Sequence, residues 1–75
     1  MKERVFQTVS QIFGIPLEEI DEQSSPETIG SWDSLKHMNL VLALEEEFGV
    51  KFTDEEIMSM VSVELILGTL NRRAA

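Results

Sequence analysis

The sequence predicts an all-α fold: a small four-helix bundle, with three main helices plus a short third helix and a long loop between helices one and two. Three observations predict it. Apolar residues recur at helical spacing in separate stretches. Stop and cap residues stand just outside those stretches. The length, 75 residues, gives room for three or four short helices around one core and little else. The chain is therefore expected to be one domain, 1-75, close to the size below which packing alone no longer holds a fold.

Helix one runs from Lys2 to Phe13, with Val5, Val9, Ile12 and Phe13 on one stripe. Gly14 stops it and Pro16 prevents its continuation. From Ile15 to Asp33 the periodicity dissolves among Pro16, Ser24, Ser25, Pro26, Gly30 and Ser31. Loops this long in small domains are functional or packed down by their own side chains; Leu17, Ile20, Ile29 and Trp32 are the expected anchors. Ser34 to Phe48 is free of Gly and Pro, rich in Leu, Met, Ala, Lys and Glu, and followed by Gly49, so it forms the best helix of the chain. Val50-Lys51-Phe52 is a brief extended link. Thr53 and Glu56 have capping-box spacing and open a short helix through Ile57, Met58 and Met60. Ser62 caps the last helix, which carries Val63, Ile66, Leu67 and Leu70 and closes near Arg72 and Arg73, where cations suit the helix dipole.

Composition narrows function by exclusion. Cysteine is absent, so disulfides, cysteine-ligated metal centres and a thiol nucleophile of the chain's own are excluded. The net charge is -8, from 6 basic and 14 acidic residues. Such a field repels nucleic acid and attracts proteins with basic patches. No apolar run has the length of a membrane span, and the opening Met1-Lys2-Glu3-Arg4 leads into an amphipathic stretch, not a cleavable apolar segment. The expected setting is cytoplasmic.

The second helix carries more apolar surface than one face needs. At about 100° per residue from Ser34, Leu40, Val41, Leu44 and Phe48 fall on a core stripe at about 240° to 340°. Leu35, Met38 and Leu42 form another at about 40° to 100°. Glu45 divides the two stripes, and Glu46 and Asn39 border the second. Periodicity allows two outcomes for it: burial under the short third helix, or exposure as a docking face with an acidic rim. Met38 suits either, since methionine adapts its shape.

Ser34 stands at the first turn of that helix, after Asp33. A helix N-terminus presents free N–H groups and the positive dipole end, which favour a phosphate. Taken locally, Asp33 or Ser34 is equally an ordinary N-cap. The wider pattern goes further. Asp33-Ser34-Leu35, then Met38, then Leu40 to Gly49 with its Leu-Glu-Glu-Glu-Phe-Gly ending, then Phe52-Thr53-Asp54-Glu55, resembles the acyl carrier protein family over nearly the whole chain.

The resemblance implies a stand-alone carrier and not an enzyme. Ser34 would bear a covalent 4'-phosphopantetheine arm, donated from coenzyme A by a magnesium-dependent phosphopantetheinyl transferase, with Asp33 and Leu35 as adjacent motif residues. The arm's thiol would carry acyl intermediates as thioesters between enzymes of fatty acid, polyketide or other dedicated lipid biosynthesis. Leu35, Met38, Leu42, Glu45 and Glu46 would meet acyl-loading and acyl-processing enzymes through their basic docking patches. Met38, Leu42, Ile57 and Val61 would form an acyl pocket between helices two and three. No metal site of its own is implied, and the carrier is expected to be a monomer.

Three departures bear on the pathway. The family's fatty-acid carriers usually hold acids where this chain has Lys36 and Asn39, on the partner-facing side of helix two. A partner built for the acidic version would lose pairs there and meet like charge at Lys36. Trp32 also differs from the small or aliphatic residues common at its position. Together these point to a specialised carrier in place of a housekeeping one.

Other readings are weaker. Asp33, Ser34 and His37 suggest a hydrolytic triad, but no orienting third group, oxyanion hole or cleft is evident, and His37 borders the core stripe as a structural histidine would. A calcium loop beginning at Asp21 fails on spacing, with Pro26 and Trp32 where Gly and Glu belong. The closest competitor is an unmodified acidic helical interaction module, which would use the same stripe and acids without an arm.

Overall fold

The computed structural model describes residues 2–74, with α1 at Lys2–Phe13, α2 at Ser34–Phe48, α3 at Asp54–Ser59 and α4 at Val63–Ala74. The outer limits of the expected domain, Met1 and Ala75, lie outside the described residues. Those residues are all-helical with no strand, as the sequence predicts. Both glycine stops hold: Gly14 and Gly49 adopt φ of 66° and 65°, the left-handed region in which glycine has no Cβ penalty. Gly14 donates its N–H to Ser10 and Gly49 to Glu45. The capping box of α3 is complete, with Thr53 and Glu56 each accepting the other's backbone N–H. Ser62 Oγ accepts from Leu65 N–H at the head of α4. α3 ends one residue earlier than expected, because Met60 leaves the helix at φ -84° and ψ 60° and turns fully into the core.

The core joins Val5, Val9 and Phe13 of α1 to Leu40, Val41 and Leu44 of α2 and to Val63, Ile66, Leu67 and Leu70 of α4. Ile20, Ile29 and Trp32 fasten the long loop into it, as expected. Leu17 does not: it is 44% exposed, because a single 3-10 turn, Leu17–Glu19, leaves it on the outer side beside Glu3, Phe6 and Gln7. The loop satisfies its own polar groups. Buried Ser24 accepts Asp21 N–H on its hydroxyl, Ser25 accepts the Thr28 and Ile29 amides on its carbonyl, and Ser25 Oγ accepts from Glu27 N–H. It also caps α4 from outside: Val63 N–H donates to Ser24 O at 2.9 Å and Glu64 N–H to Glu22 O at 3.0 Å. These bonds use two of the N–H groups that a helix start leaves without an internal partner.

The second apolar stripe of α2 is resolved in favour of exposure. Leu35 is 72% and Leu42 58% accessible, with Met38 also exposed, whereas Leu40, Val41 and Leu44 are buried. α3, six residues long, borders the stripe only at Met38 and leaves it uncovered.

Candidate functional site

Asp33 is the N-cap of α2, its backbone extended and its Oδ1 accepting the Lys36 N–H at 2.8 Å. Its carbonyl accepts His37 N–H at 2.8 Å. Asp33 thus performs the capping that Asp33 and Ser34 both offered. Ser34 follows as the first helical residue, solvent-exposed, where the leading N–H groups of a helix have no internal acceptor. A serine hydroxyl is set beside the positive end of a fifteen-residue helix, the place that favours a phosphoryl group.

Ser34 borders an open hollow of about 520 Å3 between the start of α2 and the α3 region, lined also by Asp33, Met38, Ile57, Val61, Trp32, His37, Pro26 and Met58. Of the residues expected around an acyl chain, Met38, Ile57 and Val61 meet here. Leu42 does not. One helical turn beyond Met38, it lines a separate depression of about 630 Å3 with Glu45, Glu46, Gly49, Val50 and Lys51. Glu45 is half-buried and spends one carboxylate oxygen inward, accepting Phe52 N–H at 2.9 Å, so it ties the α2–α3 link down. Glu46 is exposed.

Lys36 stands differently from expectation. It is partly buried and its Nζ reaches back to the carbonyl oxygen of Ile12 at 3.4 Å. A cation is favourable at that negative end of α1, so its charge is drawn toward α1 and away from a partner on α2. Asn39 remains exposed.

Trp32, His37 and Ile57 form a continuous bridge at the hollow's inner wall. The indole N–H of Trp32 donates to His37 Nδ1 at 3.0 Å. Since that indole nitrogen is a donor only, Nδ1 must accept, and the ring proton of neutral His37 sits on Nε2. From there it donates to the Ile57 carbonyl at 2.8 Å. The Trp32 ring is buried, with Phe13 at 5.1 Å and His37 at 6.1 Å between ring centroids. Both nitrogens of His37 are therefore engaged, and neither is available to take a proton from Ser34. The triad reading loses its base.

Sequence reasoning took Trp32 and His37 as structural residues and did not place them at the hollow. It passed over Pro26 and Met58, for which local pattern carries no signal: one lies in the loop and the other on the exposed side of a helix of six residues. Among the described residues no group of His, Asp and Glu side chains is placed to hold a metal, and no helix is long and apolar enough to cross a membrane.

Residues 3–70 match the family described as phosphopantetheine attachment site. The chain belongs to that family. Its cofactor is a covalently attached 4'-phosphopantetheine, and proteins of this kind are carriers on which other enzymes act. The first turn of α2 fits the group on its own geometry: an exposed hydroxyl, a helix N-terminus able to face a phosphodiester, and an adjoining apolar-walled hollow. Carrier membership also implies a phosphopantetheinyl transferase and acyl-processing enzymes as partners.

Proposed function

We propose that residues 1-75 form one acyl carrier domain whose Ser34 Oγ is the point of attachment. One observation carries the assignment: Asp33 takes over the cap, leaving Ser34 exposed at the helix N-terminus and opening on the hollow. When bound, the arm supplies the thiol, absent from the cysteine-free chain, that holds an acyl group as a thioester. The chain's own residues do the rest. The unpaired amides of the first turn of α2 would hold the phosphate, Met38, Ile57 and Val61 would give the arm an apolar wall, and Asp33 fixes the turn.

Exposed Leu35, Met38 and Leu42, rimmed by Glu46, form the face for partner enzymes. The negative charge of the chain steers basic surfaces toward it. Asn39 in the rim, and Trp32 in place of a smaller residue, support a dedicated biosynthetic pathway over general fatty acid synthesis. The carrier acts as a cytoplasmic monomer.

The deciding experiment is an intact mass after incubation with coenzyme A, magnesium and a broad-specificity phosphopantetheinyl transferase. The wild type gains one phosphopantetheine and Ser34→Ala gains none. Failure to gain mass with several transferases would instead favour the unmodified interaction module, and a gain retained by Ser34→Ala would move the attachment elsewhere.

A further inference from the structure

The hollow beside Ser34 and the hydrophobic core lie on opposite sides of one barrier. Trp32 belongs to the core, Ile57 packs against it, and both line the hollow together with His37. Beyond them Leu40, Leu44, Met60 and Ile66 are completely buried. An alkyl chain leaving the hollow for this interior must pass between α2 and α3, where His37 spans the gap.

The span is a specific one. The last carbonyls of a helix have no partner within it. In α3 the Glu56 carbonyl accepts from Met60 N–H and Ser59 Oγ, the Ser59 carbonyl accepts from Val61 N–H, and the Ile57 carbonyl is satisfied by His37 of α2. The histidine thus caps α3 from another helix. Moving α3 away leaves that carbonyl bare. Turning His37 aside also strands the indole N–H of Trp32, which is 5% exposed. An indole N–H stranded beside the core is costly, so opening the gap forfeits the His37–Ile57 bond when α3 moves and both bonds when His37 itself turns aside. A short group resting in the open hollow makes no such demand.

We propose that the Trp32–His37–Ile57 bridge is a bolt that keeps cargo out of the core, and so adapts this carrier to short acyl groups that ride in the open hollow. The inference rests on Ser34 being the loaded residue and names the cargo class for that site. His37 acts as a positioning residue: it touches Trp32 and Ile57 and excludes cargo through them.

The test loads the full chain from acetyl-coenzyme A and from dodecanoyl-coenzyme A with a promiscuous transferase. Intact mass confirms loading, and hydroxylamine then cleaves the thioesters while melting temperatures are recorded. In the wild type the two thioesters should be cleaved at rates within about twofold, and the long chain should add no thermal stability, because an unburied alkyl chain gains no transfer free energy. In His37→Ala the dodecanoyl thioester should be protected about tenfold relative to acetyl, a ratio that burying a few methylenes already provides. His37→Gln, which keeps an N–H for the Ile57 carbonyl, should restore the unprotected behaviour.

Should His37→Ala not fold, Trp32→Phe tests the same bolt by deleting the indole donor while keeping a ring in place. Slow cleavage and raised stability of the wild-type dodecanoyl form would overturn the inference, as would variants whose dependence on chain length matches wild type. A chain that no transferase loads overturns the carrier assignment and this inference with it, whereas a chain that loads but shelters the long acyl group overturns this inference alone.

Discussion

Arg73, near the end of α4, donates to both carboxylate oxygens of Glu56 in α3. Its guanidinium also lies over the Phe52 ring, 6.0 Å from the centroid. The Arg73 hydrogen bonds, followed by the Thr53 backbone N–H, hold the Glu56 carboxyl below its ordinary value of 4.5. A carboxylate that is a stronger acid folded than unfolded contributes stability above the unfolded value, and loses it as pH falls through the folded one. Glu56→Gln keeps an oxygen for Thr53 N–H but discards the charge. It should melt below wild type at neutral pH, with the gap closing as pH falls below the carboxylate range. A gap independent of pH would refute the ion pair's contribution.

Asp33 and Ser34 divide two tasks between neighbours, and their alanine variants should separate them. Asp33→Ala removes the acceptor for Lys36 N–H and should cost about 1 kcal/mol, a fall of roughly 4–8 °C in melting temperature for a domain of this size. Ser34→Ala should stay within about 0.5 kcal/mol of wild type while losing the added mass. Equal thermal losses in the two variants would contradict the assignment of the cap to Asp33.

Leu44 and Leu42 stand two residues apart on α2 but on different faces, one completely buried and the other 58% exposed. Leu44→Ala should destabilise by about 2–5 kcal/mol, enough to leave so small a domain partly unfolded. Leu42→Ala should be nearly neutral to chemical denaturation, yet slow acyl transfer by partner enzymes. A normal rate in Leu42→Ala would remove that residue from the docking face.

Lys36→Asp sets two effects against each other. It loses the contact with the Ile12 carbonyl and places an anion near the negative end of α1, a cost of about 0.3–1 kcal/mol that an acid in the first turn of α2 offsets by a similar amount. It also supplies an acid of the kind that fatty-acid carriers usually hold there. Transferases of fatty acid synthesis should load the variant with a higher kcat/KM than wild type. Efficient loading of wild type with no gain in the variant would argue against a specialised pathway.

Helix limits were legible because each is written in local chemistry: Gly14 and Gly49 in the left-handed region, Thr53 with Glu56, and Ser62. These signals act within a few residues and survive any tertiary arrangement. Periodicity likewise identified both stripes of α2, although it left open whether the second is covered, since that depends on the reach of α3. Distances across the chain were not legible. That His37 bonds Ile57, or that Lys36 turns toward Ile12, follows from how α2 settles against its neighbours. Leu42 shares a stripe with Met38 by angle, but one turn of helix rise carries it into another depression. At the site, family likeness singled out the Asp33–Ser34 pair, and only geometry distributed the roles of cap and exposed hydroxyl between them.

The bonds from Val63 to Ser24 and from Glu64 to Glu22 have a topological consequence. They pin together two points far apart in the chain, and the stretch between them contains α2, α3, Ser34 and the bridge residues. The proposed attachment serine, the hollow beside it and the exposed stripe of α2 are thereby strung between two neighbouring anchor points. Residues 25–62 of a related chain, grafted onto this one, would begin and end at the same pair of backbone bonds. Such a graft would bring its own attachment serine and hollow, and would seat where its residues at positions 40, 41 and 44 keep the core contacts with α1 and α4.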